Sequence, residues 1–116
     1  MSVKIERLSE FDKDLKQLRK KYKTIDDDIS IVERVITVEP TARPPFSFKI
    51  DNLGLETCVI KVRKIASRSF KGKGAMSGFR LIYAHFEQED RVVFIELYHK
   101  SSKEVEDRDR IKANFK

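Results

Sequence analysis

The sequence predicts an α+β fold: an N-terminal strand, a helical hairpin packed on a mainly antiparallel sheet, and a short C-terminal helix. Three observations predict it. Two apolar stripes at helical spacing, Phe11-Leu15-Leu18-Tyr22 and Ile25-Ile29-Val32-Ile36, stand almost end to end. Three alternating or apolar runs follow, at 57–65, 79–86 and 91–99, the last two joined by a tight turn. Pro40, Pro44 and Pro45 separate the helical half from the strand half.

Val3-Lys4-Ile5-Glu6 alternates and predicts a strand at 2–7. Ser9 is read as the cap of a helix over 9–22, with Asp12 at its third helical position. Thr24 is read as the cap of a second helix over 25–37, where Asp26, Asp27 and Asp28 suit the positive end of the helix dipole. Only Lys23 and Thr24 lie between the two patterns, which points to a hairpin. Phe46 to Ile50 reads as a short extended piece and Asn52-Leu53-Gly54 as a turn. Across 57–65, Val59, Lys61, Arg63 and Ile65 point one way, and Cys58, Ile60, Val62 and Lys64 the other. A loop at 66–78 holds three of the four glycines. The strands at 79–86 and 91–99 turn around Asp90, and Ser101 or Ser102 is read as the cap of a last helix through Ile111. The helices then cover one face of the sheet, and the other is expected to be free to carry a site.

A chain of 116 residues suits a single domain, 1–116, and no repeat is visible. With 40% hydrophobic and 38% charged residues it reads as a soluble, highly charged globular protein. Cys58 is the one cysteine, so no intrachain disulfide is expected, and it reads as a buried thiol in a reducing compartment. The start, MSVKIERLSEFDKD, lacks an apolar leader, and no apolar run approaches a membrane span. The expected location is cytoplasmic. The glycine-containing run GKGAMSG lacks the order of a nucleotide-binding P-loop, and no His/Cys/Asp cluster has metal-ligand spacing, so neither cofactor nor metal is expected.

Charge is the strongest functional signal. The chain carries +6, yet residues 57–86 alone carry +7, from Lys61, Arg63, Lys64, Arg68, Lys71, Lys73 and Arg80. A near-neutral scaffold presenting one basic patch fits a phosphate-rich partner, with a plain solvated face as the alternative. Arg80 has the fork geometry to hold two phosphate oxygens, or to pair with a carboxylate such as Glu96. Lys61 and Arg63, two apart on a strand, project from one face and suit a phosphate backbone. Lys71 and Lys73 read as mobile loop charges that draw a polyanion in. Histidine is the side-chain type whose unperturbed pKa lies near neutrality, so His99 suits proton transfer; His85 reads as structural. Tyr98 suits proton donation or stacking on a base. Tyr98 and His99 are adjacent, so on a regular strand they face opposite ways.

The runs FDKDLKQLRKKY, VIKVRKI, SGFRLIY and ELYHKSSKE together resemble the RelE/ParE toxin superfamily, nearer its RelE and HigB branches. The most specific piece is Gly78-Phe79-Arg80-Leu81-Ile82-Tyr83. The resemblance implies a toxin of a type II toxin–antitoxin system, held inactive by a cognate antitoxin protein. RelE- and HigB-like members are ribosome-dependent, metal-free endoribonucleases that cleave messenger RNA; ParE-like members act on DNA gyrase. It implies that Arg80 is catalytic, that Lys61, Arg63 and Lys100 contact RNA, and that Tyr98 and His99 stand where acid–base groups occur. Two positions depart from the RelE pattern: Ser101 stands where a second catalytic arginine occurs, and Asp107 falls near the place of a helix tyrosine. An active site would then be nearer the HigB or YoeB style. A RelE/ParE-fold protein that binds without cleaving is the alternative.

Overall fold

In chain order the elements are β1 (Lys4–Arg7), α1 (Ser9–Lys21), α2 (Ile25–Val38), β2 (Ser47–Lys49), β3 (Cys58–Val62), β4 (Phe79–Phe86), β5 (Arg91–His99) and α3 (Arg108–Phe115). The structure is a computed structural model and describes residues 3–116. The predicted start of the first strand at residue 2 lies outside the described residues. The sheet runs β1-β5-β4-β3-β2; β1 lies parallel to β5 and every other pair is antiparallel. The expected α+β architecture is therefore present. No helix among the described residues is long and apolar enough to cross a membrane.

The two stripes form one core with the sheet. Phe11, Leu15, Ile25, Ile29, Val32 and Ile36 are buried against Ile60, Val62, Leu81, Tyr83 and Phe94, while Leu18 is only half-buried at the margin. Neither predicted cap bonds to a backbone amide. Ser9 is the first residue of α1, and Leu8 stands at the cap position. Thr24 does precede α2, but its hydroxyl donates to the Asp28 carboxylate at 2.8 Å. Asp28 is buried and also accepts from the Ser67 hydroxyl (2.5 Å) and the Arg68 N–H (3.3 Å). This aspartate thus ties the start of the 66–78 loop to the hairpin, a role beyond the helix dipole.

The second face of the sheet is not free. Val59, Ile82, Ala84, Val93 and Ile95 make a second core with Leu53 and Ile111, closed by α3 and the turn around residue 53. The reason lies in β4 and β5, which are apolar on both sides and need cover on both. The last helix starts at Arg108 rather than at Ser101 or Ser102. Asp107 caps it, accepting from the Arg110 N–H at 3.0 Å, while the Ser101 hydroxyl is engaged by His99 at 2.7 Å. Cys58 is half-buried, not buried, because it sits at the end of β3; desolvation still holds its thiol pKa above the ordinary value.

One irregularity decides which side chains reach which face. Ile82 pairs with Glu96 and Tyr83 with Phe94, so Ile95 is an extra residue in β5, a β-bulge. Up to Phe94 the even-numbered residues of β5 face the helical hairpin. After the bulge Leu97 and His99 do so instead, and Tyr98 turns to the α3 side. The bulged stretch has also lost β1 as a neighbour, since that pairing ends at Phe94. Side chains take over the exposed ladder groups. The Leu97 N–H donates to Asp14 (3.0 Å), Arg110 donates to the Ile95 carbonyl (2.9 Å), and Arg110 and Asp14 pair at 2.7 Å.

Candidate functional site

β3 and β4 set Arg63 and Arg80 side by side. Val62 pairs with Leu81, so the next residue along β3 lies beside the previous one on β4. Arg80 donates to the Arg63 carbonyl and to the Phe79 carbonyl, both at 3.2 Å, and not to Glu96. Glu96 instead accepts from Lys103 and from the Asp107 N–H. Burial, followed by the neighbouring Arg63 charge, holds the pKa of Arg80 below the ordinary arginine value, while Tyr98 acts weakly the other way. Arg80 is half-buried and Arg63 exposed beside it, and a bound anion would offset both the burial and the repulsion felt by Arg80.

These arginines line a cleft of about 230 Å³ with Lys64, Lys100, Gly78, Met76, Phe48 and Pro45. No carboxylate lines it. Gly78 adopts φ +96°, and a Cβ there would stand 2.8 Å from Nε2 of His99 and 3.1 Å from the Lys100 side chain. Its carbonyl accepts the Lys100 N–H at 2.9 Å, which holds the end of β5 against this wall.

The structure brings some of the expected residues together and parts others. Lys61, Arg63, Arg80 and Tyr98 share the α3-side face of the sheet. Lys61 lies outside the cleft lining: its ammonium is held by the Glu106 carboxylate at 3.1 Å, and Glu106 is paired again with Arg108 at 3.3 Å. Tyr98 is cross-strand from Arg80 and 5% exposed, with Lys61 and Lys103 over its ring at 5.8 and 5.0 Å and no hydrogen-bond partner for its hydroxyl. His99 faces the opposite way. It stacks on Phe70 (5.0 Å, 7°) and on Tyr22 (5.6 Å, 26°), with Phe79 edge-on at 5.0 Å. Its Nε2 donates to the Ser77 carbonyl at 2.9 Å, so Nδ1 is the acceptor for the Ser101 hydroxyl (2.7 Å) and N–H (3.1 Å). Both ring nitrogens are thus occupied away from the arginines. Lys71 and Lys73 are exposed; Lys71 lines a separate hollow beside Ile31 and Arg68, on the hairpin side.

The sequence places Lys64 in the basic patch but on the opposite face, and it does not single out Met76, Phe48 or Pro45 as site residues. Strict alternation sends Lys64 to the face opposite Arg63. β3 ends at Val62, however, and the chain turns, so Lys64 joins the same cleft with its ammonium 3.0 Å from Sδ of Met76. The bridge between Ile65 and Met76 that brings the loop back carries no local signature.

No protein-family model and no curated protein matches this sequence. Solved structures do match. Archaeal RelE in its complex with RelB from Pyrococcus horikoshii superposes with a TM-score of 0.60 at 15% identity, over 89% of this chain and 100% of that one. E. coli toxin RelE, as a double arginine-to-alanine variant in the free state, gives 0.55 at 15% identity over 90% of each chain. A metal-bound toxin from Helicobacter pylori gives 0.54 at 20% identity, over 86% of this chain and 97% of that one. Fold and cleft together define a small α+β protein that presents cations from the middle of its sheet. More particularly, the chain has the RelE-like fold.

Proposed function

We propose that this chain is the toxin of a type II toxin–antitoxin pair and that it cleaves ribosome-bound messenger RNA without a metal. One observation carries the reading: Arg63 and Arg80 lie side by side in a cleft that also holds Lys64 and Lys100 and no carboxylate. In such a cleavage the ribose 2′-oxygen bonds to phosphorus as its proton leaves to solvent. The bond to the 5′-oxygen breaks, and that oxygen takes up a proton. A 2′,3′-cyclic phosphate and a 5′-hydroxyl result. Arg80 would bind the non-bridging oxygens, where charge builds in the transition state. Arg63, Lys64 and Lys100 would seat the phosphates. Tyr98 is cross-strand from Arg80, but its hydroxyl is buried and it does not line the cleft, so the leaving oxygen would take its proton from solvent. His99, inside its aromatic cluster, positions Gly78 and Lys100. A partner protein would serve as antitoxin, by analogy with the RelE–RelB complex.

Arg80→Ala tests this. It should lower the cleavage rate about a hundred- to a thousand-fold with the melting transition unchanged. Arg80→Lys should not rescue it, because an ammonium cannot reproduce the fork. Primer extension on ribosome-bound messenger reads the cleavage, and growth arrest on expression should weaken in step. A second reading, binding without cleavage as in gyrase-directed ParE-like toxins, draws on the occupied nitrogens of His99. Growth arrest by the parent without messenger cleavage, and persisting in Arg80→Ala, would select it.

A further inference from the structure

The cleft has two unlike walls. One is cationic: Arg63, Lys64, Arg80 and Lys100. The other is apolar: Pro45, Phe48 and Met76. Phe48 is 37% exposed and Met76 58%, two of the five large apolar side chains left exposed among the described residues. Exposing them beside four cations is unfavourable for a site that takes phosphate alone. Phe48 is held in place by β2, where it pairs with Lys61 and so shares the face of Lys61 and Arg63. The Arg63 guanidinium lies over its ring at 5.9 Å, so one group joins the two walls. The volume, about 230 Å³, is below the roughly 300–1,000 Å³ of pockets for drug-sized ligands. It suits one unit of a chain that continues outside.

We propose that Phe48, flanked by Pro45 and Met76, is a nucleobase subsite: it stacks the base next to the phosphate held by Arg63 and Arg80. The ligand class is single-stranded nucleic acid with unpaired bases, since a base within a duplex has no free face to offer. Stacking on a phenyl ring tolerates every base, so the subsite sets strandedness rather than sequence. An acidic peptide would satisfy the cations but leave the ring uncovered. This rests on the RNA reading above and specifies what the same cleft binds.

The test uses a short fluorescent oligodeoxynucleotide, which lacks the 2′-hydroxyl and stays intact, and an abasic strand of equal length. The parent protein should bind the base-containing strand more tightly. Phe48→Ala should weaken that binding about 5- to 100-fold and leave the abasic strand unaffected. Phe48→Tyr should retain parental affinity, and melting curves should confirm that both variants fold. Equal binding of both strands by the parent, or an equal loss on both in Phe48→Ala, would overturn the base subsite while the phosphate reading stands. Binding of neither strand, or displacement of both by a polyglutamate peptide at lower concentration, would overturn the subsite and the nucleic-acid reading together.

Discussion

His99 shows what one side chain does when its neighbours are known. A histidine at a strand end beside a basic patch reads as a proton carrier, yet here it is a stacked core residue with both nitrogens bonded. His99→Ala would lose the stacking on Phe70 and Tyr22 and leave the Ser77 carbonyl and Ser101 hydroxyl without a partner. It should cost about 2–4 kcal/mol of stability, read as a shift of the urea midpoint. Any fall in activity should follow the fraction folded. Gly78 belongs to the same cluster, and Gly78→Ala meets both a disfavoured φ and the His99 ring. Arg80 was legible as a candidate from its motif, and its side chain lines the cleft beside Arg63. The environment of His99 was not, because Tyr22, Phe70 and Ser77 reach it from separate parts of the chain.

The elements were mostly legible: both helical stripes are periodic, and the strands show as an alternating run at β3 and as apolar runs bounded by turns at β4 and β5, signals that survive without tertiary information. What the sequence hides is the bulge at Ile95. Unbroken alternation from Val92 would turn Tyr98 toward the helical hairpin and away from Arg80; one extra residue reverses this. Equally hidden is the irregular 100–107 segment, which lays Glu106 on Lys61 across 45 positions of sequence. Burial raises the pKa of the Glu106 carboxyl, but the backbone hydrogen bond, Lys61 and Arg108 outweigh it and leave the group below the ordinary value. A carboxyl lowered on folding stabilises the native state above its unfolded pKa, about 4.3. That contribution is lost as pH falls through the folded value. Glu106→Gln should therefore flatten the acid limb of stability below about pH 4, measured by urea unfolding from neutral to acidic pH. It should also release Lys61 toward a bound strand. The slope of log affinity against log salt for single-stranded RNA would then steepen by about 0.7.

At the scale of the molecule, the sheet is closed by its two chain ends. β1 covers β5 as far as Phe94, and Arg110 of α3 with Asp14 of α1 covers the ladder groups beyond it. Hydrogen bonding to Asp14, set against desolvation, raises the pKa of Arg110 above its ordinary value. Arg110→Ala would leave the Ile95 carbonyl bare and Asp14 without its cation. It should cost about 2–3 kcal/mol and expose a strand edge, seen as concentration-dependent association in sedimentation. The parallel pairing of β1 with β5 also orders events in time. Residue 4 finds its partner at residue 91, and the clamp on that strand waits for residue 110. During synthesis the helical hairpin is complete early but has no sheet to pack on, and the arginine cleft has no settled wall at Lys100 until the residues through about 110 have emerged. Through the synthesis of its first hundred residues a nascent chain is thus without a settled cleft, and whatever that cleft grips is out of its reach until then.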